Sequence, residues 1–444
     1  MSDRIEKRGL TPVFTHRIVV VGGGAGGLEL VTKLGEDLGR NGRAEVTLID
    51  RSRTHLWKPL LHEVAAGSMD IHAHQLDYLA QARWHRFTFV LGALAGLDRS
   101  AREVLVDPVR DDEGEEILPA RRVPYDTLVI AIGSESNDFG TPGVRANAFT
   151  IDNAWDAHLF HRRLVNACFR ANFANDGRVF DIAIVGAGAT GVELAAELHN
   201  TIRVLAAYGL KGFKPEAQIR IRVVEAGPRI LPGLPEYIAE ETLKTLQGLG
   251  VEVLVGERVV EVTPNRVKTA TGREVPADFV VWAAGIRGPA VLKDLDGLES
   301  NRANQLVVKD TLQTTRDDDV FALGDCAAAP WRDQKTVPPR AQAAHQMSSH
   351  LVKTFRRRLA GKPPTPYHYR DFGSLVSLGH YQTVGTLMGF VSGGTLQLEG
   401  FLAKLFYISL YKLHIWALHG FWRMALDTLA RMIRRQTEPK VKLH

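Results

Sequence analysis

The feature that most constrains the fold is a pattern of three glycines that occurs twice after an apolar, β-branched run. In the first case, RIVVVGGG, the glycines Gly22, Gly24 and Gly27 satisfy GxGxxG, and helical spacing follows over residues 25–38. A strand that ends in glycines and continues into a helix predicts a βαβ unit that binds a dinucleotide. The acid at the end of the next strand, Asp50, can accept hydrogen bonds from both ribose hydroxyls.

The second case, DIAIVGAGATGVELAAELH, places Gly186, Gly188 and Gly191 between a strand and a helix. The acid after the next strand is Glu225, and its carboxylate favours NADH because it bonds the ribose and repels a 2′-phosphate. The nearby Arg229 leaves that preference open. The gap before this acid is longer than usual, and the loop AYGLKGFKPEAQ accounts for it as an insertion. Two dinucleotide sites are predicted, with a duplicated domain that has one inactive site as the alternative.

Three more apolar strands have a glycine at or near their carboxyl end. YDTLVIAIGS ends at Ser134, and DFVVWAAGI contains Gly285 and ends at Ile286. Both segments are typical of points where a chain crosses between domains. VFALGDC ends at Gly324 and Asp325. Taken alone, this last segment could be an ordinary strand followed by a helix that the aspartate caps.

Composition limits the kind of protein. The 444 residues suffice for two or three domains. The two cysteines, Cys168 and Cys326, do not form a CxxC pair, which indicates a reducing compartment. The polar first residues predict no secretory signal, and the scattered histidines predict no metal site.

The positive charge is concentrated in the carboxy-terminal tail. Residues 400–444 carry a net charge of +6, whereas residues 1–399 sum to −1. The tail is also rich in Trp, Phe, Leu and Ile at helical spacing, and its uncharged stretch between Lys412 and Arg423 has only ten residues. This pattern favours an amphipathic helix in the plane of a membrane over a spanning helix or a nucleic-acid binder. A helix packed on the body or in a homodimer interface is the alternative.

Together, the two GxGxxG motifs, the AxG strands and the GD pair resemble the two-dinucleotide-binding-domain flavoproteins. The resemblance implies that the first fold binds FAD non-covalently and that the inserted second fold binds NADH as substrate. It places Gly324 and Asp325 near the ribityl phosphate of FAD, and Gly285 at the cofactor. The CxxxxC pair of disulfide reductases and the cysteines of sulfide:quinone oxidoreductases are absent.

Two further segments, HLWKPLLHEVAAG and VPPRAQAAHQM, resemble the type II NADH:quinone oxidoreductases of bacterial respiratory chains. In that family AQxAxQ lies where quinone enters, which implies roles for Gln342 and Gln346, with His345 beside them; an ordinary Ala-rich helix is the alternative. The tail resembles the carboxy-terminal anchor of the proteobacterial enzyme, including ALHG and the final KLH. A peripheral protein on the cytoplasmic face of the inner membrane is implied.

The resemblance also implies roles for two side chains. Glu193 would be a proton relay or positioning group near the nicotinamide, although it could equally stabilise the start of its helix. Lys58 would contact the flavin, or else be a solvated loop charge. The quinone, ubiquinone or menaquinone, is not specified, and no proton pumping is expected. A soluble NADH:acceptor reductase and a non-catalytic NADH-sensing flavoprotein are the alternative functions.

The expected fold class is therefore α/β, with two Rossmann-like dinucleotide-binding domains for FAD and NADH and amphipathic membrane-binding helices at the C-terminus. The expected limits are residues 1–150 and 291–395 for the two parts of the FAD domain, the second of which contains the quinone segment. The NADH domain is expected over residues 151–290 and the membrane anchor over residues 396–444.

Overall fold

The computed structural model describes residues 15–174, 177–208, 214–379, 383–388, 395–434 and 441–442. The polar first residues, the middle of the expected AYGLKGFKPEAQ insertion and parts of the basic tail therefore lie outside the described residues. The α-helices are α1 (Ala25–Leu34), α2 (Leu61–Ala66), α3 (Ile71–His74), α4 (Tyr78–His85), α5 (Val144–Asn147), α6 (Ala154–Ala174), α7 (Ala189–Ala207), α8 (Pro215–Gln218), α9 (Glu236–Gly248), α10 (Ala341–Leu359) and α11 (Gly400–Arg434).

The chain divides into two compact units. The first unit comprises Met1–Thr54, Asp77–Ile132 and Ala290–Tyr367, and the second comprises His55–Leu76, Gly133–Pro289 and His368–His444. These units assign residues 55–76, residues 133–150 and the residues after Tyr367 differently from the limits expected from the sequence. Those domain limits stay a prediction.

A five-stranded parallel sheet forms the centre of the first unit. Its strands, in spatial order, are Val320–Ala322, Thr127–Ile130, His16–Val21, Ala44–Asp50 and Thr88–Leu91. The central strands are apolar because both faces of a parallel sheet are covered, and Ile18 to Val21 are at most 1% exposed. Helix α1 packs against α10 in this unit.

The second unit repeats the arrangement with another five-stranded parallel sheet. Its strands, in spatial order, are Ala148–Phe149, Phe279–Trp282, Phe180–Val185, Ile219–Val224 and Glu252–Leu254. Helix α7 follows the central strand, and the core between them contains Ile182, Ile184, Leu194 and Leu198. Two parallel sheets, each with a glycine turn after its central strand, confirm the predicted α/β class with two Rossmann-like folds.

Smaller sheets complete both units. The first unit has an antiparallel sheet of Leu94–Asp98, Glu103–Val106 and Arg121–Pro124, and the two-stranded pairs Val109–Arg110 with Glu116–Leu118 and Leu306–Val307 with Ala327–Ala328. The second unit has antiparallel sheets of Val259–Thr263, Arg266–Thr269 and Glu274–Pro276 and of Gly373–Ser377, Thr383–Met388 and Thr395–Glu399, and the pair Glu135–Ser136 with Ile286–Arg287.

Two helices differ from the sequence expectation. The first was expected to continue to Leu38, but α1 ends at Leu34 and a π-helical turn follows over Gly35–Gly39. The turn lies where backbone approaches backbone, since a Cβ at Gly35 would be 2.1 Å from the carbonyl oxygen of His85.

The tail helix also departs from the expected pattern. Helix α11 is interrupted at Gly420, whose φ of 77° and ψ of 168° are non-helical. A glycine adopts this positive φ at little cost, so the tail forms two helical segments. The two sides of the break also differ in burial, since Leu418 is 1% exposed, whereas the aromatic side chains of Phe421 and Trp422 are 51% and 78% exposed. Among the described residues, no helix has the length and apolarity needed to cross a membrane.

Candidate functional site

The first glycine turn, at the carboxyl end of strand His16–Val21, has room only for glycine at two positions. Gly22 has a φ of +102°, and a Cβ there would be 2.4 Å from the carbonyl oxygen of Ala131. A Cβ at Gly27 would be 1.9 Å from the carbonyl oxygen of Gly22. At Gly24 the space is open, with the nearest atom 4.0 Å away. The turn is therefore tight on the protein side and open where a ligand can approach the start of α1.

The start of α1 has donors available for an anion. Its first backbone bond runs from the Leu28 amide to the Gly24 carbonyl at 3.0 Å, so the preceding amides of the helix have no partner within it. Among the residues that the structure describes, no side chain caps this end. The free amides and the helix dipole together favour a phosphate.

Asp50 lies beside this turn, as the sequence predicted. Its two carboxylate oxygens accept from the amides of Gly23 at 2.6 Å and Ser52 at 2.7 Å. Burial raises its pKa, and the two amide bonds oppose that rise. Tyr78 also contacts the turn, because its hydroxyl donates to the Gly23 carbonyl at 2.7 Å. Sequence reasoning missed Tyr78, since nothing in the pattern of α4 distinguishes it from a core tyrosine.

The Gly324–Asp325 pair lies in a one-turn helix, Gly324–Cys326, that contacts α10. The amide of Gly324 points at the sulfur of Met347 in α10, 3.2 Å away. The carbonyl of Asp325 accepts from the side-chain amide of Gln305 at 2.9 Å. A Cβ at Gly26 in α1 would approach the Ala344 carbonyl oxygen to 3.0 Å. The first unit thus brings the beginnings of α1 and α10 together with the GD pair.

The first turns of α10 present the predicted quinone-side residues. Gln342 and Gln346 are half-buried and one helical turn apart, and His345 is exposed between them. The ring nitrogen Nδ1 of His345 lies 2.5 Å from a carboxylate oxygen of Glu29 in α1. Sequence reasoning missed Glu29; its signal was a charged residue inside the apolar run GLELV.

The second glycine turn repeats the first in detail. Gly186 has a φ of +104°, and a Cβ at Gly191 would be 2.0 Å from the Gly186 carbonyl oxygen. A Cβ at Gly188 would have no neighbour within 4 Å among the described residues. Glu225 accepts from the amides of Ala187 and Gly227, both at 2.7 Å. The carboxylate thus holds its turn in the same manner as Asp50 holds the first.

Arg229, which left the choice between NADH and NADPH open, is engaged elsewhere. Its guanidinium donates to the carbonyls of Leu231 at 3.2 Å, Pro232 at 3.0 Å and Leu234 at 2.9 Å. A guanidinium held by three carbonyls of its own loop is poorly placed to pair with a 2′-phosphate. This geometry favours NADH.

Glu193 lies on α7 in the second unit and is 7% exposed. It accepts from the Ser377 amide at 3.0 Å, and its other oxygen lies 3.5 Å from Nδ1 of His62. Burial raises the pKa of Glu193 to about 8, with further contributions from the nearby carboxylates of Glu63 and Glu197. Burial lowers the pKa of His62 to about 4. Both groups are therefore neutral at pH 7, and their contact is not an ion pair.

Lys58 and Gly285 also lie in the second unit. The ammonium of Lys58 donates to the Ser134 carbonyl at 2.7 Å, at the end of the AIGS segment. Gly285 has a φ of +62°, and a Cβ there would be 2.4 Å from the ring of Phe139. Their predicted cofactor contacts stay predictions.

Comparison with known proteins supplies the family. A family model described as pyridine nucleotide-disulphide oxidoreductase matches residues 16–348. The type II NADH:quinone oxidoreductase of Haemophilus influenzae is 44% identical over 96% of this chain and 99% of its own length. The chain belongs to the type II NADH:quinone oxidoreductases, within the pyridine nucleotide-disulphide oxidoreductase family. The enzyme of the same name from Staphylococcus saprophyticus is 30% identical over 84% of this chain and 90% of its own length.

Solved structures agree with the fold of a type II enzyme. The structure of NDH2 from Plasmodium falciparum in complex with NADH superposes with a TM-score of 0.80 at 18% identity, over 96% of this chain and all of that one. The sulfide:quinone oxidoreductase of Aquifex aeolicus superposes with a TM-score of 0.71 at 18% identity, over 91% of each chain. At these identities the matches concern the fold alone.

The cysteines agree with a type II enzyme that does not use thiol chemistry. Cys168 belongs to the second unit and Cys326 to the first, and both are free and buried. Burial raises the pKa of Cys168 to about 12, so it stays a thiol at neutral pH. The sulfur of Cys326 donates to the Leu323 carbonyl at 3.2 Å, as in a structural role.

Membership in this family identifies FAD as the cofactor, and the first glycine turn fits it. The open space at Gly24, the free amides of α1 and the carboxylate of Asp50 match a pyrophosphate and an adenosine ribose. The second turn offers the same elements to NADH through Gly188 and Glu225.

Proposed function

We propose that the protein is a peripheral membrane enzyme that oxidises NADH with FAD and reduces a membrane quinone without pumping protons. The observation that carries this function is the pair of glycine turns, each closed by a carboxylate, in a chain 44% identical to a type II NADH:quinone oxidoreductase. When bound, FAD would supply the two-electron chemistry that connects NADH oxidation to quinone reduction. The overall reaction converts NADH, quinone and one proton into NAD and hydroquinone.

The residues of the second unit bind and orient NADH. The amides at the start of α7 face the pyrophosphate, and Glu225 bonds the ribose hydroxyls through the lone pairs that Ala187 and Gly227 leave free. Glu193 is neutral at pH 7 and can donate or accept a proton near pH 8. Holding the two substrates in reacting geometry supplies most of the rate increase.

The residues of α10 bind the quinone. Gln342 and Gln346 each carry an amide that donates to a quinone carbonyl without bringing a charge into the site. His345 lies on the same helical turn. The half-buried position of both glutamines, one turn apart at the start of the helix, supports this role.

Helix α11 binds the membrane surface. Several large apolar side chains in its second segment face solvent; they are Phe421, Trp422, Leu426, Leu429 and Ile433, exposed by 51% to 78%. An exposed apolar face of this size on a basic helix fits the headgroup region of an anionic bilayer. The proposed location is the cytoplasmic face of the inner membrane, where NADH is available. A homodimer through the same face is the competing use of this surface.

A half-reaction experiment on Gln346→Ala tests the quinone site. Reduction of the bound FAD by NADH is followed without oxygen, and its reoxidation is then followed after addition of a short-chain ubiquinone. Gln346→Ala should slow reoxidation by about tenfold or more, because one hydrogen bond to the quinone is lost, and leave reduction unchanged. Gln247→Ala, on the exposed side of α9, is the control. Equal slowing of both halves would remove the quinone role of Gln346.

A further inference from the structure

We propose that Glu29 is a positioning residue that holds His345 as the proton donor to the quinone. This inference rests on the proposed quinone role of the first turns of α10. It adds a residue of α1, in the middle of the FAD-binding fold, to the part of the enzyme that acts on quinone.

Glu29 is an unusual residue for the interior of a Rossmann helix. Its side chain is fully buried, and it contacts Lys33 one turn along α1 at 2.5 Å. It also contacts two residues of α10, Nδ1 of His345 at 2.5 Å and the hydroxyl of Ser349 at 3.4 Å. A carboxylate removed from water is stable only when it has partners of this kind. Glu29 therefore places a negative charge from α1 next to His345, which lies on the exposed face of α10.

The contact determines which nitrogen of His345 is available. With Nδ1 donating to Glu29, Nε2 is the nitrogen left for another partner. The His345 side chain is 48% exposed, so this second nitrogen can be reached from outside. His345 follows Gln342 by three residues and precedes Gln346, which places all three on neighbouring positions of the helix surface. A quinone held by the glutamines would lie beside the imidazole.

A second Glu–His pair in the same unit shows what distinguishes this arrangement. Nδ1 of His85 lies 2.7 Å from Glu36, but there the carboxylate is 49% exposed and the histidine 7% exposed. In the pair of Glu29 and His345 the burial is reversed. A buried carboxylate is screened little by water and acts strongly on the imidazole, while the exposed imidazole can exchange protons. Of these two pairs, the pair of Glu29 and His345 is the one that suits proton delivery to a substrate.

Quinone receives two electrons that originate from NADH, and it takes up two protons to become hydroquinone. In one of these proton transfers the Nε2–H bond of protonated His345 breaks and an O–H bond forms on a quinone oxygen. Neutral His345 then recovers its proton from water. The buried negative charge of Glu29, 2.5 Å from Nδ1, faces the positive charge that the imidazole carries in this step.

Two substitutions test this role, because one removes the negative charge beside His345 and the other removes the positive charge that Lys33 places beside Glu29. They should have opposite effects. In the wild type, reoxidation of the bound FAD by a short-chain ubiquinone should slow as the pH rises, because the step consumes protons. Glu29→Gln removes the negative charge, so this decline should move to lower pH and the rate in mildly alkaline buffer should fall about tenfold. Lys33→Met removes a competing positive charge and should move the decline to higher pH. Reduction by NADH should be unchanged in both variants.

Control variants separate this role from a structural one. Glu36→Gln removes the carboxylate of the solvated pair and should leave the pH profile of reoxidation as in the wild type. If Glu29→Gln does not retain FAD, His345→Asn provides the measurement, since this exposed residue can be replaced without emptying the core; it should abolish the decline with pH.

Two results would overturn the inference. One is a shift of the pH profile in the same direction for Glu29→Gln and Lys33→Met, and the other is an unchanged profile in His345→Asn. A wild-type enzyme whose FAD is not reoxidised rapidly by ubiquinone would instead contradict the proposed function. The two failures are therefore distinguishable.

Discussion

Asp50 and Glu225 perform equivalent tasks in the two nucleotide turns. Each carboxylate accepts from one amide inside its glycine turn and from one amide two residues after itself. The two side chains differ by one methylene group. Because each carboxylate accepts only from backbone amides in these bonds, the fold sets their geometry. The sequence identified these acids by position alone. It could not reveal that they also hold the turns together.

Glu225 should determine the nucleotide preference. Glu225→Ser removes the charge that repels a 2′-phosphate and weakens the bond to the ribose, so the ratio of kcat/KM for NADH to that for NADPH should fall about tenfold or more. Steady-state kinetics with both nucleotides provide the measurement, and Glu252→Gln on the neighbouring strand is a control. An unchanged ratio would show that Glu225 does not select the nucleotide.

Glu193 should make stability depend on pH. Its pKa in the folded protein is about 8, above the ordinary value of 4.5, so the folded state retains this proton over a range in which the unfolded chain has lost it. The stabilisation is complete below the ordinary pKa and is lost as the pH rises through about 8. In Glu193→Gln this part of the decline should be absent. Urea unfolding of the wild type and of Glu193→Gln at several pH values between 4.5 and 8 measures this difference. A parallel decline in the stability of both proteins would show that Glu193 is not the group responsible.

The strand-turn-helix units could be predicted from the sequence because apolar period and glycine spacing are local signals. The ends of helices could not. α1 stops at Leu34 because Gly35 approaches the backbone after α4, more than forty residues away, and periodicity contains no information about that neighbour. The break at Gly420 likewise depends on a backbone conformation that the helical spacing of apolar residues in the tail does not indicate. Glu29 was missed for a similar reason, since its partners lie on α10.

Gly35 and Gly248 should respond to alanine in opposite ways. A Cβ at Gly35 would meet the His85 carbonyl oxygen at 2.1 Å, so Gly35→Ala should destabilise the protein by about 1–3 kcal/mol. Gly248, at the end of α9, has no neighbour within 4 Å, and Gly248→Ala should be neutral or stabilise by about 0.5–1 kcal/mol. Denaturant unfolding of the two variants measures this. Equal stabilities would argue against the close approach at the π-helical turn.

The second segment of α11 should control membrane binding. Replacing both Phe421 and Trp422 with Ser removes two exposed aromatic side chains, and binding to vesicles that contain anionic lipid should weaken about tenfold or more. Trp155→Ser removes an aromatic side chain on α6 that is 62% exposed and serves as the control. Sedimentation with vesicles gives the affinities. If the double variant binds vesicles as well as the control but self-associates less than the wild type does, the face is a homodimer interface.

At the scale of the whole molecule, the chain contains two dinucleotide-binding folds and a basic, aromatic tail, and each part was recognisable because its motif is short and local. The assignment of a role to each part depends on chemistry instead. Two turns, each closed by a carboxylate, suit two dinucleotides, and the two free, buried cysteines agree with an electron acceptor that is not a thiol or disulfide. The central claim is therefore electron transfer from NADH to quinone through one FAD.

An anaerobic stopped-flow experiment on the wild-type protein tests this claim most directly. NADH is mixed with the protein while the flavin absorbance is followed, and a short-chain ubiquinone is then added. The predicted result is rapid bleaching by NADH followed by equally rapid recovery with quinone, at rates consistent with turnover. Rapid bleaching with recovery only over minutes would contradict the claim and indicate a different acceptor or a sensor of NADH.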